Sequence, residues 1–395
     1  MSTETTDLPP FPGAHNARCP FDPPTEYTDW RKSAGLRRAV WKDIPVWVVS
    51  RHEDIRTALA DPRISADMGE LQSFVGFDNP PPMFPRMDDP EHARLRRMLT
   101  KDFTVKRINA MRPEIQKMAH EFIDQMISKG QPADLVRDYA LPIPSLVISL
   151  MLGVPYADHE FFQQHSTTMS TTNATKEERG KATLAQFGYL QELVARKETE
   201  PGDDLISRVL REHVETGELD RMTLVINGIL LLFAGHETTA NSIALGTLAL
   251  LRNPDQAARI RETDDPAAAV EELLRYLTIV HALVARVAKE DVEIAGQRIR
   301  AGEVLLMNLP AGNRDKAFVS DPDTLDLDRN ARGHVAFGYG IHQCLGQTLA
   351  RAEMEIALSV LLRRLPDLRL AVPFEELNFR HDMNIYGVHE LPVAW

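Results

Sequence analysis

Cysteine is nearly absent: the 395 residues contain two, Cys19 and Cys344. Two thiols exclude a disulfide-stapled scaffold, a zinc site built from paired cysteines and an iron–sulfur cluster on four of them. Such sparing use fits a reducing interior. Cationic charge is short as well, with 45 Lys and Arg against 57 Asp and Glu and a net charge of −12. Binding to a phosphate backbone needs a concentrated basic surface, so nucleic acid is an unlikely partner class. Long apolar runs are missing too. The longest, 146–154 and 229–235, fall far below the roughly 18 residues of a membrane span. The opening MSTETTDLPPFPG has neither a basic n-region nor an apolar h-region. These absences predict a soluble, cytoplasmic chain with no membrane partner.

What is present is ordinary globular material, 43% apolar and 26% charged, with length enough for a large core and a sizeable ligand pocket. Length alone suggests two or three domains of roughly 150 residues, yet no linker, repeat or low-complexity tract divides the chain. The sequence therefore predicts an extended Pro-rich lead over 1–24 and a single domain over 25–395. A strand pair is expected at 38–41 and 46–50, turning across 43–45, and a short helix at 52–61. Residues 69–89, centred on Asn79-Pro80-Pro81-Pro82, read as a long irregular loop, of a length that is usually functional or disordered. Helical periodicity then dominates at 90–101, 105–129, 141–152, 159–170, 176–198, 205–214, 220–252 and 265–277. Strands return at 292–294, 297–299 and 304–308 before a last long helix over 346–364. The fold class is mainly α with small β-sheets (α+β).

Cys344 lies in Phe337-Gly338-Tyr339-Gly340-Ile341-His342-Gln343-Cys344-Leu345-Gly346, at the start of that last helix. Free backbone N–H groups and the helix dipole there favour a thiolate. The glycines let backbone approach a flat object without Cβ clashes. A lone cysteine is most often a small buried hydrophobe, but a glycine-flanked one at a helix start suits a ligand or a nucleophile. A zinc site on His334, His342 and Cys344 lacks a fourth ligand and paired spacing. A cysteine nucleophile would need a histidine partner that thirteen histidines leave unchosen. A second constellation, Ala234-Gly235-His236-Glu237-Thr238-Thr239, interrupts an apolar helix. The bland reading is an exposed polar patch. Apolar residues on both sides point instead to a buried functional site, where Thr hydroxyls compete for i−4 carbonyls and bend the helix. A third, Glu272-Leu273-Leu274-Arg275, puts an acid and a base at i and i+3 on one helix face; by composition alone it is a surface ion pair worth under about 1 kcal/mol.

The pattern Phe-x-x-Gly-x-x-x-Cys-x-Gly at Phe337, Gly340, Cys344 and Gly346 resembles the haem-ligand loop of the cytochrome P450 family. The other motifs follow in the family's order, from about Pro20 to Trp395. The resemblance implies a single domain of that fold, with haem b between the long central helix and the Cys-loop helix. Cys344 would be the axial thiolate on iron, whose electron donation favours O–O cleavage. Glu237 and Thr238 would form the acid–alcohol pair that relays protons, with Ala234 and Gly235 leaving room for oxygen and substrate. Glu272 and Arg275 would be the structural pair that steadies the cysteine loop. Thr324 and Leu325 stand where many members have the third Arg and a Phe, and Arg329 is the candidate substitute. His92, Arg96, Arg286 and His342 match partners of the haem propionates.

By the same resemblance, the pocket walls map to Phe74, Val75, Phe77, Met83, Phe84, Phe187, Leu231, Leu283, Val284 and Ile385. Each alone is as well explained by core packing; together they imply a roomy, largely apolar pocket. The function implied is a haem monooxygenase that inserts one oxygen atom from O2 into an apolar small molecule, by hydroxylation, epoxidation or dealkylation. It resembles the actinobacterial group acting on macrolides and xenobiotics. Electrons would come from an external ferredoxin and its reductase, meeting Arg96, Arg97 and Arg351, and the protein is expected as a monomer. Alternatives are a peroxide-driven peroxygenase, a nitric oxide reductase-like enzyme, or a non-catalytic haem sensor. An intact Glu237-Thr238 pair argues against peroxide dependence, since peroxide already carries the protons and electrons.

Overall fold

The computed structural model describes residues 8–14, 19–32, 36–69, 83–171, 173–381, 383 and 385–395. In chain order the helices are α1 Glu26–Lys32, α2 His52–Ala60, α3 Glu91–Thr100, α4 Val105–Lys129, α5 Pro142–Leu152, α6 His159–Ser170, α7 Lys176–Thr199 and α8 Leu205–Val209. They continue with α9 Arg221–Leu251, α10 Pro254–Glu262, α11 Ala267–Leu277, α12 Leu309–Asn313 and α13 Gln347–Arg364. The strands are β1 Arg37–Trp41, β2 Ile44–Val49, β3 Ile64–Ser65, β4 Ala133–Asp134, β5 Ala285–Ala288, β6 Val292–Ile294, β7 Gln297–Ile299, β8 Val304–Met307, β9 Arg369–Leu370 and β10 Pro392–Ala394. The expected class, mainly helical with small sheets, is what the chain adopts. The residues divide into two compact units, Met1–Met68 with Thr263–Cys344, and Gly69–Glu262 with Leu345–Trp395.

The first unit is built on a sheet in the order β1-β2-β8-β5-β3, antiparallel except where β2 runs parallel to β8. The β1–β2 turn is Lys42-Asp43, both at positive φ (49° and 64°), with Trp41 opposite Ile44. Two consecutive left-handed residues match the right-handed strand twist of a tight hairpin, so the reversal sits before Pro45 rather than around it. One face of the sheet packs Val49, Ile55, Leu305, Met307 and Val335; the other packs Ala39, Val46, Val48 and Leu306 with Tyr27 and Trp30. Of the Pro-rich lead, residues 8–14 and 19–24 are described, and the first of these segments is docked on the sheet. Phe11 is buried against Tyr27 and Trp30, and its N–H donates to the Val40 carbonyl.

The second unit is a helical assembly in which α13 packs on α4, and α9 packs on α5, α7 and α13, closed by the small sheet β4-β10-β9. Local chemistry sets the ends. Asp220 caps α9 by accepting from Thr223 N at 2.8 Å, Thr175 and Glu178 form a reciprocal capping box on α7, and Gly153 ends α5 in the left-handed region at φ 73°. α9 is the one described helix long and apolar enough to cross a membrane, which the count of uninterrupted runs had hidden. Residues 223–229 and 239–250 are buried all round, the mark of a core helix.

Candidate active site

In the first unit, the loop carrying Cys344 is shaped by glycine. Gly338 and Gly340 take φ of 70° and 73°, and a Cβ at Gly340 would stand 2.7 Å from the Leu59 carbonyl oxygen. Only glycine meets both demands. The Cys344 N–H donates to the Phe337 carbonyl at 2.9 Å, folding the loop back on itself, and the Arg56 guanidinium stacks over Tyr339 at 4.3 Å. His342 ends the short turn Gly340–His342 and is half-buried. Cys344 is exposed, two residues before the Gly346 cap of α13. A built Cβ on Gly338 or Gly346 would meet nothing within 4 Å. An accessible thiol flanked by open glycine faces fits a thiolate beneath a flat apolar group.

Glu272 and Arg275 are fully buried, so the surface-pair reading fails. Arg275 grips Glu272 bidentately at 2.7 and 2.8 Å and donates to the carbonyls of Asn313 at 2.9 Å and Pro322 at 2.8 Å. Arg329 Nε reaches Glu272 Oε1 at 3.2 Å, occupying the third place that Thr324 and Leu325 leave. Asn313, missed from sequence, carries the chain onward. Its Oδ1 accepts from Val335 N at 2.7 Å, two residues before Phe337. His334 pairs with Glu271 at 3.2 Å. Arg286, on β5, is buried and donates to the Ala285 carbonyl. Leu283 is 45% exposed and Val284 half-buried. Among the described residues no three His, Cys, Asp or Glu side chains converge to hold a metal ion, so the zinc alternative has no site there.

In the second unit, α9 interrupts its own burial at one place. Between residues 223 and 250 only Leu230, Phe233, Ala234, Gly235 and Thr238 are other than buried, and Ala234 is exposed. Leu230, Ala234 and Thr238 are four residues apart and share a face, so the accessible strip is apolar except for one hydroxyl. Thr238 Oγ1 donates to the Ala234 carbonyl at 2.8 Å. Gly235 has a packing reason of its own: a Cβ there would lie 2.7 Å from Ile148 Cγ1 on α5.

Glu237 is buried and its carboxylate pairs with Arg380. Arg380 Nη1 also donates to Asn241 Oδ1 at 3.1 Å. Asn241 Nδ2 donates to the Glu237 carbonyl at 2.7 Å. His236 donates from Nδ1 to the Leu232 carbonyl at 2.6 Å; burial drives its pKa down despite Glu237 3.9 Å away. On another side of α9, Glu353 of α13 is buried with the Thr239 hydroxyl beside its carboxyl. Burial raises its pKa to about 8, which the Thr239 hydroxyl eases only in part.

His92, on α3, is buried and shares Nδ1 with Asp89 at 3.0 Å; burial holds its pKa down, with Asp89 opposing. Arg96, one turn on, is half-buried. Of the predicted pocket residues, Met83, Phe84, Leu231 and Ile385 are buried and Phe187 is half-buried. The Phe84 N–H is tied to Asn227 Oδ1 on α9 at 3.2 Å. Phe74, Val75 and Phe77 lie outside the described residues. Arg380, Asn241 and Glu353 escaped the sequence reading. Glu353 alone left a signal, an acid set between Ala352 and Met354 in an apolar stretch of helix.

A family model described as "Cytochrome P450" matches residues 36–265 and 267–366. The chain is 51% identical to "Cytochrome P450-SU2" of Streptomyces griseolus over the whole of both chains. It is 45% identical to "Vitamin D3 dihydroxylase" of the same organism over 99% of this chain and 98% of that one. Among solved structures, the mycinamicin VIII C21 methyl hydroxylase MycCI of Micromonospora griseorubida superposes with a TM-score of 0.91 at 39% identity, covering 98% of this chain and 100% of that one.

Proposed function

We propose that this chain, which belongs to the cytochrome P450 family and is a monooxygenase by descent, works as a haem-thiolate enzyme that hydroxylates a largely apolar, secondary-metabolite-sized molecule. The observation that carries this reading is the accessible Cys344 thiol on its glycine-shaped loop. Relatives named for hydroxylating vitamin D3 and a macrolide support the substrate class. Haem, when bound, supplies O2 activation in the overall conversion RH + O2 + 2 e⁻ + 2 H⁺ → ROH + H2O.

The chain's own residues do the rest. Cys344 would ligate iron, with Phe337, Gly340 and Gly346 shaping the loop; His92, Arg96, Arg286 and His342 would answer the propionate charges. Glu272, Arg275 and Arg329 lock the segment that precedes the loop. Glu237 accepts protons from water and passes them to Thr238 Oγ1, which hands its own proton forward into the reaction site. The strip of Leu230, Ala234 and Thr238 gives the substrate an apolar wall, so positioning chooses the bond that reacts. We further propose that residues 25–395 work as one haem-binding unit, and that electrons come from a ferredoxin and its reductase.

The test is the carbon monoxide difference spectrum of the reduced protein, wild type beside Cys344→Ala. A long-wavelength Soret band that disappears in the variant supports the assignment. A histidine-type spectrum in the wild type overturns it.

A further inference from the structure

The loop after α13 reaches α9 through one buried cation. The described residues of the 379–388 stretch, 379–381, 383 and 385–388, belong to a narrow hairpin. Phe379 bridges Val388, and the Arg380 N–H donates to the Gly387 carbonyl at 2.9 Å. Its base is pressed onto α9: a Cβ on Gly387 would stand 1.7 Å from Asn241 Oδ1, so only glycine allows the approach. From that base Arg380 reaches Glu237 and Asn241 together. Near the tip, Met383 bridges Thr171 at the end of α6, and Ile385 and Tyr386 are buried.

Arg380 is the cation paired with Glu237. His236, the next basic group, is buried, its Nδ1 proton is spent on Leu232, and its pKa is driven down. A buried carboxylate needs a partner to stay charged and oriented. Arg380 supplies the charge. Asn241 fixes the geometry, since it donates to the Glu237 backbone and accepts from Arg380. If Glu237 turns away to carry a proton, Asn241 Oδ1 still satisfies the guanidinium, so the swing does not strand a bare cation.

We propose that Arg380 is a positioning residue for the proton relay: it fixes the orientation of the Glu237 carboxylate, and the 379–388 hairpin links that hold to α6. This rests on the reading of Glu237 as the relay acid.

The test is a double-mutant cycle on the haem-loaded protein, reading product formed per O2 consumed with an apolar substrate found by spin-state shift. Glu237→Gln alone should cut this coupling; if it does not, the relay reading itself falls. With that drop in hand, Arg380→Gln should lower coupling by roughly tenfold, Arg380→Lys should restore most of it, and adding Arg380→Gln to Glu237→Gln should cost almost nothing more. An undiminished Arg380→Gln effect in the Glu237→Gln background would make Arg380 a mere anchor of the hairpin and overturn the proposal. A second readout needs no turnover. The infrared spectrum of resting Arg380→Gln should gain an un-ionised carboxyl band that Glu237→Gln removes; absence of that band counts equally against the proposal.

Discussion

Glu353 offers the sharpest quantitative test. Its carboxyl lies in the contact of α13 with α9, 1% exposed and beside the Thr239 hydroxyl. Burial lifts its pKa from 4.5 to about 8. The folded state therefore holds a proton that the unfolded chain loses near pH 4.5, so folding is not penalised below that pH. The penalty grows as pH rises between the two values and is complete above about 8. At about 1.4 kcal/mol per pH unit, the full distance amounts to about 5 kcal/mol, and roughly 3 kcal/mol is already lost near pH 7.

Glu353→Gln removes the titration and keeps the shape. It should match wild type to within about 1 kcal/mol near pH 5 and exceed it by several kcal/mol near pH 9. Urea unfolding midpoints of the two proteins, taken across that range at constant ionic strength, measure the gap directly. A gap that stays flat with pH refutes the argument. It would mean that water or a cation reaches the carboxylate and that the contact of α13 with α9 is wetter than its geometry shows.

Two other expectations follow from packing. Arg275→Leu strands Glu272 with Arg329 as its one remaining cation and releases the carbonyls of Asn313 and Pro322; the loss of a buried partner should cost about 3–5 kcal/mol, read as a lower urea midpoint and weaker haem retention, and a loss below about 1 kcal/mol would return the pair to surface status. Gly235→Ala gains about 1 kcal/mol of helix propensity but drives a methyl to 2.7 Å from Ile148 Cγ1, so a net loss of about 1–2 kcal/mol is expected. Ile148→Ala in the same chain should relieve the clash, and a Gly235→Ala protein more stable than wild type would show that α5 yields freely.

The helical frame was legible because its signals are local. α4, α6, β6 and β7 begin and end where periodicity and turn residues put them. α9 differs by one residue at each end from its expected 220–252 span. The misses have physical causes. α10 opens on Pro254 and spans only nine residues, too few for helical periodicity to register, so the stretch between the expected 220–252 and 265–277 helices went unassigned. The β1–β2 turn uses Lys42 and Asp43 where glycine or asparagine would be the usual signal. β5 and β3 are short strands whose hydrogen-bonding partners lie far away in sequence.

Residue chemistry was less evenly readable. Cys344, Thr238 and Glu272 stand in motifs, and a motif is a local object. Arg380 and Glu353 act on α9 from more than a hundred residues away, and no spacing rule connects them to it. Burial also decides between readings that sequence leaves tied: the same Glu-x-x-Arg spacing is a weak surface pair in water and a locked network at zero exposure.

α9 therefore meets two acids in opposite settings, its own Glu237 and Glu353 of α13. Glu237 faces a guanidinium and a carboxamide, while Glu353 presses on the helix from α13 with no ion-paired cation among the described residues. Where environments separate two carboxyls in this way, their chemical duties separate too. The one tied to Arg380 is charge-paired and held in place, as the proposed relay to Thr238 requires. The other keeps its proton through the neutral range and makes α13, the helix that follows the cysteine loop, sensitive to alkaline pH. A helix apolar over most of its length can meet both because each charge question is answered by a different neighbour, Arg380 from the C-terminal hairpin and burial itself from α13. That division predicts independence. Glu353→Gln should move stability with pH and leave coupling intact, whereas Glu237→Gln should lower coupling and leave the pH dependence of stability in place. If either variant moved both readouts, α9 would be a single coupled network rather than two separate sites.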